Sequence, residues 1–271
     1  MSRTLRLSKH HGLGNDFLVL LDEAVRREET VDAELARRVC SRRTGVGADG
    51  LLIGTAGGAG DADLTMVLYN ADGSRAEMSG NGIRCLAQAW VQRTGPTAGP
   101  LRIATDAGLR TVTVEPTDDP AVAVAHVDMG KALPGPDPTG AVPEGIERAV
   151  TVDLGNPHLV LLVDDVTRAD VDGAGPGLEG RFAGGINVEW IAVAPDRPDR
   201  LELRVWERGA GHTRACGTGA CAAAHAAHAW GLVGERVTVA MEGGEVEVAL
   251  GDPVTLVGPA THVAELQVNA Q

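Results

Sequence analysis

Short runs of alternating apolar and polar residues, divided by glycine-, proline- and aspartate-rich turns, run the length of the chain and predict strands. In the first half these runs fall at residues 5–7, 17–21, 51–55, 64–69, 101–103 and 109–114, with helical composition at 33–38 and 83–92. An Asp/Pro-rich segment at 116–120 reads as a linker or loop. The second half repeats the plan, with strands at 121–128, 149–154, 159–163, 188–193 and 201–206, a helix at 218–230, and strands at 236–241 and 245–250. In each half the most apolar helix follows a Gly-x-Gly turn and consists largely of small apolar residues. A helix that is apolar all round is normally buried. The expected architecture is therefore α+β: two pseudo-symmetric domains, each a strand-rich sheet wrapped around a central helix. The boundaries are expected at 1–119 and 120–261, with the tail at about 262–271 packing on the first domain and the two helix starts meeting at the interface.

Composition narrows the function. The 271 residues are 44% hydrophobic but only 3% aromatic, so a core must be filled with Val, Leu and Ala. A net charge of −13, spread along the chain, argues against a nucleic-acid or anionic-membrane surface. The basic N-terminal segment has no apolar stretch behind it, and the run at 159–163 is far too short to span a bilayer. Cys40, Cys85, Cys216 and Cys221 show no paired zinc spacing and read as free thiols in a cytoplasmic protein. Lysine occurs only at Lys9 and Lys131, neither well placed to form a Schiff base with pyridoxal phosphate.

The chemistry gathers at the two turns. Ser79-Gly80-Asn81-Gly82 and Cys216-Gly217-Thr218-Gly219 each set a nucleophilic side chain at a helix start, beside N–H groups suited to an anion. As nucleotide loops they fail, because the second lacks the third glycine of a dinucleotide fingerprint and no lysine follows as in a Walker loop. Either turn alone could merely pack a helix against a sheet; the duplication favours a site. His225 and His228 stand one turn apart, with no third metal ligand evident, and read as packed or capping residues.

Further polar positions complete a pattern: Asn15 in His11-Gly-Leu-Gly-Asn-Asp-Phe17, Asn70 in Tyr69-Asn-Ala-Asp-Gly-Ser74, Asn156 and His158 in Gly155-Asn-Pro-His158, Asn187, and Glu207-Arg208-Gly209 leading to Ala215-Cys216-Gly217-Thr218-Gly219. Along its whole length, in order, the chain resembles the diaminopimelate epimerases, and the Glu207–Gly219 stretch is the most specific part. The resemblance implies the diaminopimelate epimerase-like fold with its active site in the cleft between the domains. It also implies an isomerase that interconverts LL- and meso-diaminopimelate, needs no cofactor, metal or nucleotide, and works as a homodimer. Cys216 matches one of the family's two acid/base cysteines. Gly80, Asn81, Gly217 and Thr218 match the groups that bind the carboxylate at the reacting centre. Glu207 and His158 match polar groups beside that centre, and Asn15, Asn70, Asn156, Asn187 and Arg208 match the set holding the distal amino-acid end.

One position departs. Where the family has its first catalytic cysteine this chain has Ser79, and Cys85 matches a second, structural cysteine in the helix. A hydroxyl is a far weaker acid than a thiol. Four accounts are open: a natural serine that relays the proton, a substitution introduced to trap substrate, a drift to a related racemase or dehydratase, and a binder of diaminopimelate with little turnover.

Overall fold

The computed structural model describes residues 4–21, 31–143 and 145–269; the ends of the basic N-terminal segment and of the C-terminal tail lie outside the described residues. The elements run β1 (Thr4–Gly12), β2 (Asn15–Leu21), α1 (Ala33–Cys40), β3 (Gly50–Ala56), β4 (Leu64–Asn70), β5 (Arg75–Ala76), α2 (Gly80–Thr94), β6 (Leu101–Thr105), β7 (Gly108–Pro116) and β8 (Val122–Asp128). They continue with β9 (Leu133–Pro134), β10 (Arg148–Asp153), β11 (Pro157–Leu162), α3 (Val171–Glu179), β12 (Asn187–Val193), β13 (Arg200–Glu207), β14 (Gly211–Thr213), α4 (Gly217–Ala229), β15 (Arg236–Met241), β16 (Gly244–Ala249) and β17 (Thr255–Asn269).

The chain divides into two units, Met1–Val127 with Gly258–Gln271, and Asp128–Val257. In the first, β1 pairs antiparallel with β2, β2 runs parallel to β3, β3 turns back to β4, and β4 runs parallel to β6. The hairpin of β6 and β7 continues to β8. β17 pairs with both β8 and β1, which closes the sheet on itself. Helix α2 packs against β1, β2, β3, β4 and β7.

The second unit repeats this path. β10 pairs antiparallel with β11, β11 runs parallel to β12, β12 turns back to β13, and β13 runs parallel to β15, which leads to β16 and the start of β17. Helix α4 packs against β10, β11, β12, β13, β15 and β16. Its buried positions include Ala220, Cys221, Ala222, Ala223, Ala224, Ala226 and Ala227. Alanine suits this place, because a small side chain lets the sheet close tightly around the helix without losing helix propensity. Leu, Val and Ala supply most of the core, as the low aromatic content requires.

The Asp/Pro-rich segment at 116–120 is a loop, the turn of the β7–β8 hairpin: Val112 pairs with Val127 and Pro116 with Ala123. The strand expected to open the second half therefore belongs to the first unit as far as Val127. Helix α3 carries no expectation from the sequence, and neither does a strand at β17, whose far end is the tail expected to pack on the first domain.

Candidate active site

The two central helices begin alike. Ser79 is the N-cap of α2, with extended backbone (φ −143°, ψ 122°), and its Oγ accepts a hydrogen bond from Gly82 N–H at 3.0 Å. Cys216 is the N-cap of α4 (φ −130°, ψ 114°), and its Sγ accepts from Gly219 N–H at 3.3 Å. The third helical residue must be small in both. A Cβ on Gly82 would lie 3.1 Å from the Ser79 Cβ, and one on Gly219 would lie 3.2 Å from Cys216 Sγ and 2.7 Å from a Glu189 carboxylate oxygen. The N–H groups of a first helical turn have no acceptor within the helix and carry the positive end of its dipole. Each turn thus joins a proton-bearing side chain to an anion-binding backbone.

In the first unit, Asn81 lies in the first turn of α2 and is buried. Its Nδ2 donates to Asn15 Oδ1 at 3.1 Å, and its Oδ1 accepts from the buried Arg84 at 2.9 Å. Asn15 Nδ2 in turn donates to Asp49 at 2.8 Å. Asp49 and Asp16 are both held by Arg42, at 2.7 and 2.6 Å, and Lys9 reaches Asp16 at 2.8 Å. The structure thus brings Ser79, Gly80, Asn81 and Asn15 together on one braced corner. Asn70, at the end of β4, bonds Ser74 Oγ at 3.0 Å within its own turn.

The second unit gathers more chemistry. His158 on β11 and Glu189 on β12 are fully buried, with Nδ1 and Oε1 2.6 Å apart. His158 Nε2 lies 3.1 Å from Asn156 Oδ1, Asn156 Nδ2 donates to Thr218 Oγ at 3.3 Å, and Thr218 Oγ stands 3.5 Å from Cys216 Sγ. Asn187 spends its amide on the backbone: Nδ2 donates to Pro157 O at 2.9 Å and Oδ1 accepts from Arg208 N–H at 3.0 Å, which fixes where the Arg208 side chain starts. Glu207, at the end of β13, accepts from the Thr213 hydroxyl and meets the Cys216 thiol.

Electrostatics separates the groups. Burial first, and then the nearby Glu207 and Glu189 carboxylates, push the Cys216 thiol well above its ordinary range, against donors from Thr218 and Gly219. Burial raises Glu207 from 4.5 to about 7, offset in part by Thr213 and Cys216. Cys85, sealed inside α2, is pushed up to about 12 by burial, which makes it inert as a base. The folded chain thus holds the Glu207 proton more tightly than the unfolded chain. That contribution to stability is fully present below pH 4.5 and is lost as pH rises through about 7. Urea unfolding compared at about pH 5 and about pH 8 checks this, and Glu207→Gln is expected to shrink the loss of stability between the two.

Some residues singled out in the sequence take other places. His228 Nδ1 bonds Val233 O at 3.1 Å, and among the described residues no three His, Cys, Asp or Glu side chains converge as a metal site. Lys9 pairs with Asp16 and Lys131 with Asp252, at 2.8 and 2.6 Å. No described helix is long and apolar enough to cross a membrane. Glu189 is a functional candidate that the sequence alone does not single out, although a lone charge inside the apolar strand Asn187–Val193 is a usable signal.

The family model described as diaminopimelate epimerase matches residues 7–133 and 150–263. A diaminopimelate epimerase from Synechococcus elongatus is 39% identical over 279 residues, covering 96% of this chain and 96% of its own length. One from a Cyanothece species is 42% identical over 283 residues, covering 96% and 98%. Among solved structures, a hydroxyproline epimerase from Agrobacterium vitis with bound trans-4-OH-L-proline gives a TM-score of 0.74 at 17% identity, covering 99% of this chain and 94% of that one. At that identity the likeness bears on the fold alone. Matched over nearly its whole length by the family model and by these relatives, the chain belongs to the diaminopimelate epimerase family.

Proposed function

We propose that this chain is an isomerase interconverting LL- and meso-2,6-diaminopimelate by moving a proton at one α-carbon, without a cofactor. The duplicated helix start carries the reading: two N-caps of one geometry, each with a protic side chain beside first-turn amides. Inversion needs a group on each face of the carbon and an environment that stabilises the carbanion between the two proton transfers. The amides at Gly80, Asn81, Gly217 and Thr218 would bind the reacting carboxylate and take up its growing charge. Cys216 exchanges the proton on one face. Glu207 touches that thiol and titrates near neutrality, so it can receive the thiol proton and return it. Ser79 serves the other face, and His158 stands near the substrate ammonium.

Asn15, Asn70, Asn156, Asn187 and Arg208 hold the distal amino-acid end. A proline-type substrate has no such end, and the curated relatives carry the diaminopimelate name, so a proline racemase or dehydratase is the weaker reading. The same reading makes the enzyme a cytoplasmic homodimer supplying lysine and peptidoglycan precursors, with neither nucleic acid nor membrane as partner. The net charge of −13 and the four free cysteines support that setting.

Incubation with the LL isomer, followed by chiral separation, tests the proposal. Meso product accumulating to equilibrium supports it; an unchanged LL isomer contradicts it. Arg208→Leu is expected to raise KM about tenfold to a hundredfold with a smaller change in kcat, because a charged hydrogen bond to the distal carboxylate is lost. Initial rates across substrate concentration check this.

A further inference from the structure

A guanidinium only donates hydrogen bonds, a carboxylate only accepts them, and a side-chain amide does both, one from each end. In the first unit, Asn81 and Asn15 lie in a line between one of each. Arg84 donates to Asn81 Oδ1 at 2.9 Å, Asn81 Nδ2 donates to Asn15 Oδ1 at 3.1 Å, and Asn15 Nδ2 donates to Asp49 at 2.8 Å. Asp49 accepts at both oxygens, because the Asp16 N–H shares the first and Arg42 holds the second at 2.7 Å. The sense of the line is therefore forced from both ends. Turning either amide over would set nitrogen against nitrogen or oxygen against oxygen. Arg84, Asn81 and Asn15 are only 0%, 1% and 8% exposed, so solvent offers them little in exchange. Gly12, paired with Asn15 across the β1–β2 hairpin, makes room for the line. A Cβ there would stand 2.9 Å from an Arg84 nitrogen and 3.2 Å from the Asn81 Cβ.

Packing does not ask for the two end groups. Five residues after its N-cap, α2 carries Arg84 where α4 carries Cys221, and just before the matching strands β3 and β12 stand Asp49 and Ile186. Cys221 and Ile186 are as fully buried as Arg84. The repeat thus folds with a thiol and an alkyl group at these two places, and only the first unit sets a guanidinium and a carboxylate there. Burying a guanidinium is costly, so its presence points to what it holds.

We infer that Arg84 and Asp49 are positioning residues that lock the Asn15 amide in one sense, and so decide which hand of amino-acid end it can hold. The inference rests on the reading above that places Asn15 at the distal end of diaminopimelate. The line uses one N–H and one acceptor site of Asn15. Its second N–H stays on the Asp49 side, where it suits a carboxylate, and its second lone pair stays on the Asn81 side, where it suits an ammonium. Those two groups change places between an L and a D centre. A locked amide therefore favours one hand, and an amide free to turn over serves both.

The double variant Arg84→Gln with Asp49→Asn puts an amide at each end, which can donate or accept, so the whole line can reverse. Meso-diaminopimelate bound with its D centre reacting differs from the DD isomer only at the held end, so the two ligands read the lock directly. The double variant is expected to raise KM for the meso isomer about tenfold with little change in kcat, and to narrow the preference for binding meso over DD by about tenfold. Arg84→Lys still only donates, and is expected to keep the parent preference. A second readout needs no substrate. In protein labelled with ¹⁵N-asparagine, the Asn15 and Asn81 side-chain N–H groups are expected to exchange slowly with D₂O in the parent and faster in the double variant. Parent-like preference or parent-like exchange in the double variant would overturn the inference. So would a parent that binds both isomers equally, or an Arg84→Lys variant that loses as much preference as Arg84→Gln. The expected exchange in a parent that neither binds nor epimerises diaminopimelate would leave the amide lock standing and sink the substrate assignment instead.

Discussion

Cys216→Ala is expected to lower epimerisation by about 10²- to 10⁴-fold while leaving the fold in place. Cys216 is 4% exposed, caps α4 through Gly219, and has Glu207 and Thr218 at its sulfur. In the proposed mechanism, removing the thiol takes away the proton carrier and leaves the first-turn amides that would bind the carboxylate, so substrate should still bind. Steady-state rates in both directions, alongside binding of the substrate by calorimetry, separate the two effects. Loss of kcat with retained binding is the expected outcome. Cys216→Ser refines it, because it gives α4 the same N-cap residue that α2 already carries. Its residual rate measures what a serine hydroxyl at a helix start can do in this fold.

Ser79→Cys is expected to raise the rate of inversion, by about tenfold to a hundredfold. A thiol has an ordinary pKa of about 8.5 and is lowered further at a helix N-terminus, whereas a hydroxyl stays protonated throughout the neutral range. The site can take the change. Ser79 and Cys216 share their backbone geometry, and their cap hydrogen bonds are 3.0 and 3.3 Å. Ser79 is also half-buried, so a thiol there would bear less of the desolvation that raises Cys216. Forward and reverse rates should rise together, because a catalyst cannot move the equilibrium between the isomers. An unchanged rate in both directions would mean that proton transfer at this face does not limit turnover.

How much could be read from the chain depended on how local the signal was. The starts of α2 and α4 were legible because a capping side chain, a Gly-x-Gly turn and an apolar helix lie next to one another in sequence. Helix α3 was not, since Gly173, Gly175, Pro176 and Gly177 argue against a helix. Tertiary packing overrides that propensity: a Cβ on Gly175 would stand 2.5 Å from the ring of Trp206, so the helix needs glycine to approach. The strand β17 was hidden by Gly258 and Pro259, yet the Pro259 carbonyl is used, accepting from Arg84 Nε at 3.2 Å. The Asp/Pro-rich turn after β7 reads as a linker or a loop, because composition alone cannot tell a hairpin turn from a linker.

The site shows the same limit. The residues of the family pattern could be placed by position, but the partners that brace them could not. Asp49 reaches Asn15 from 34 residues away, and Glu189 reaches His158 from 31. Such pairs are set by strand register, which the chain records only as alternation of apolar residues. Glu189 is the lone charge in its strand, and its pairing with His158 follows from the register of β11 against β12.

The most direct test of two-faced proton transfer is to incubate the protein with LL-diaminopimelate, and separately with the meso isomer, in D₂O, following α-deuterium and isomer ratio together. Transfer through Cys216 on one face and Ser79 on the other predicts that each isomer gives the other with deuterium at the inverted centre. Ser79→Cys should accelerate the same outcome, and Cys216→Ala should suppress both exchange and inversion. Deuterium entering with retained configuration would contradict a working group at Ser79, and no exchange in either the parent or Ser79→Cys would contradict the diaminopimelate assignment itself.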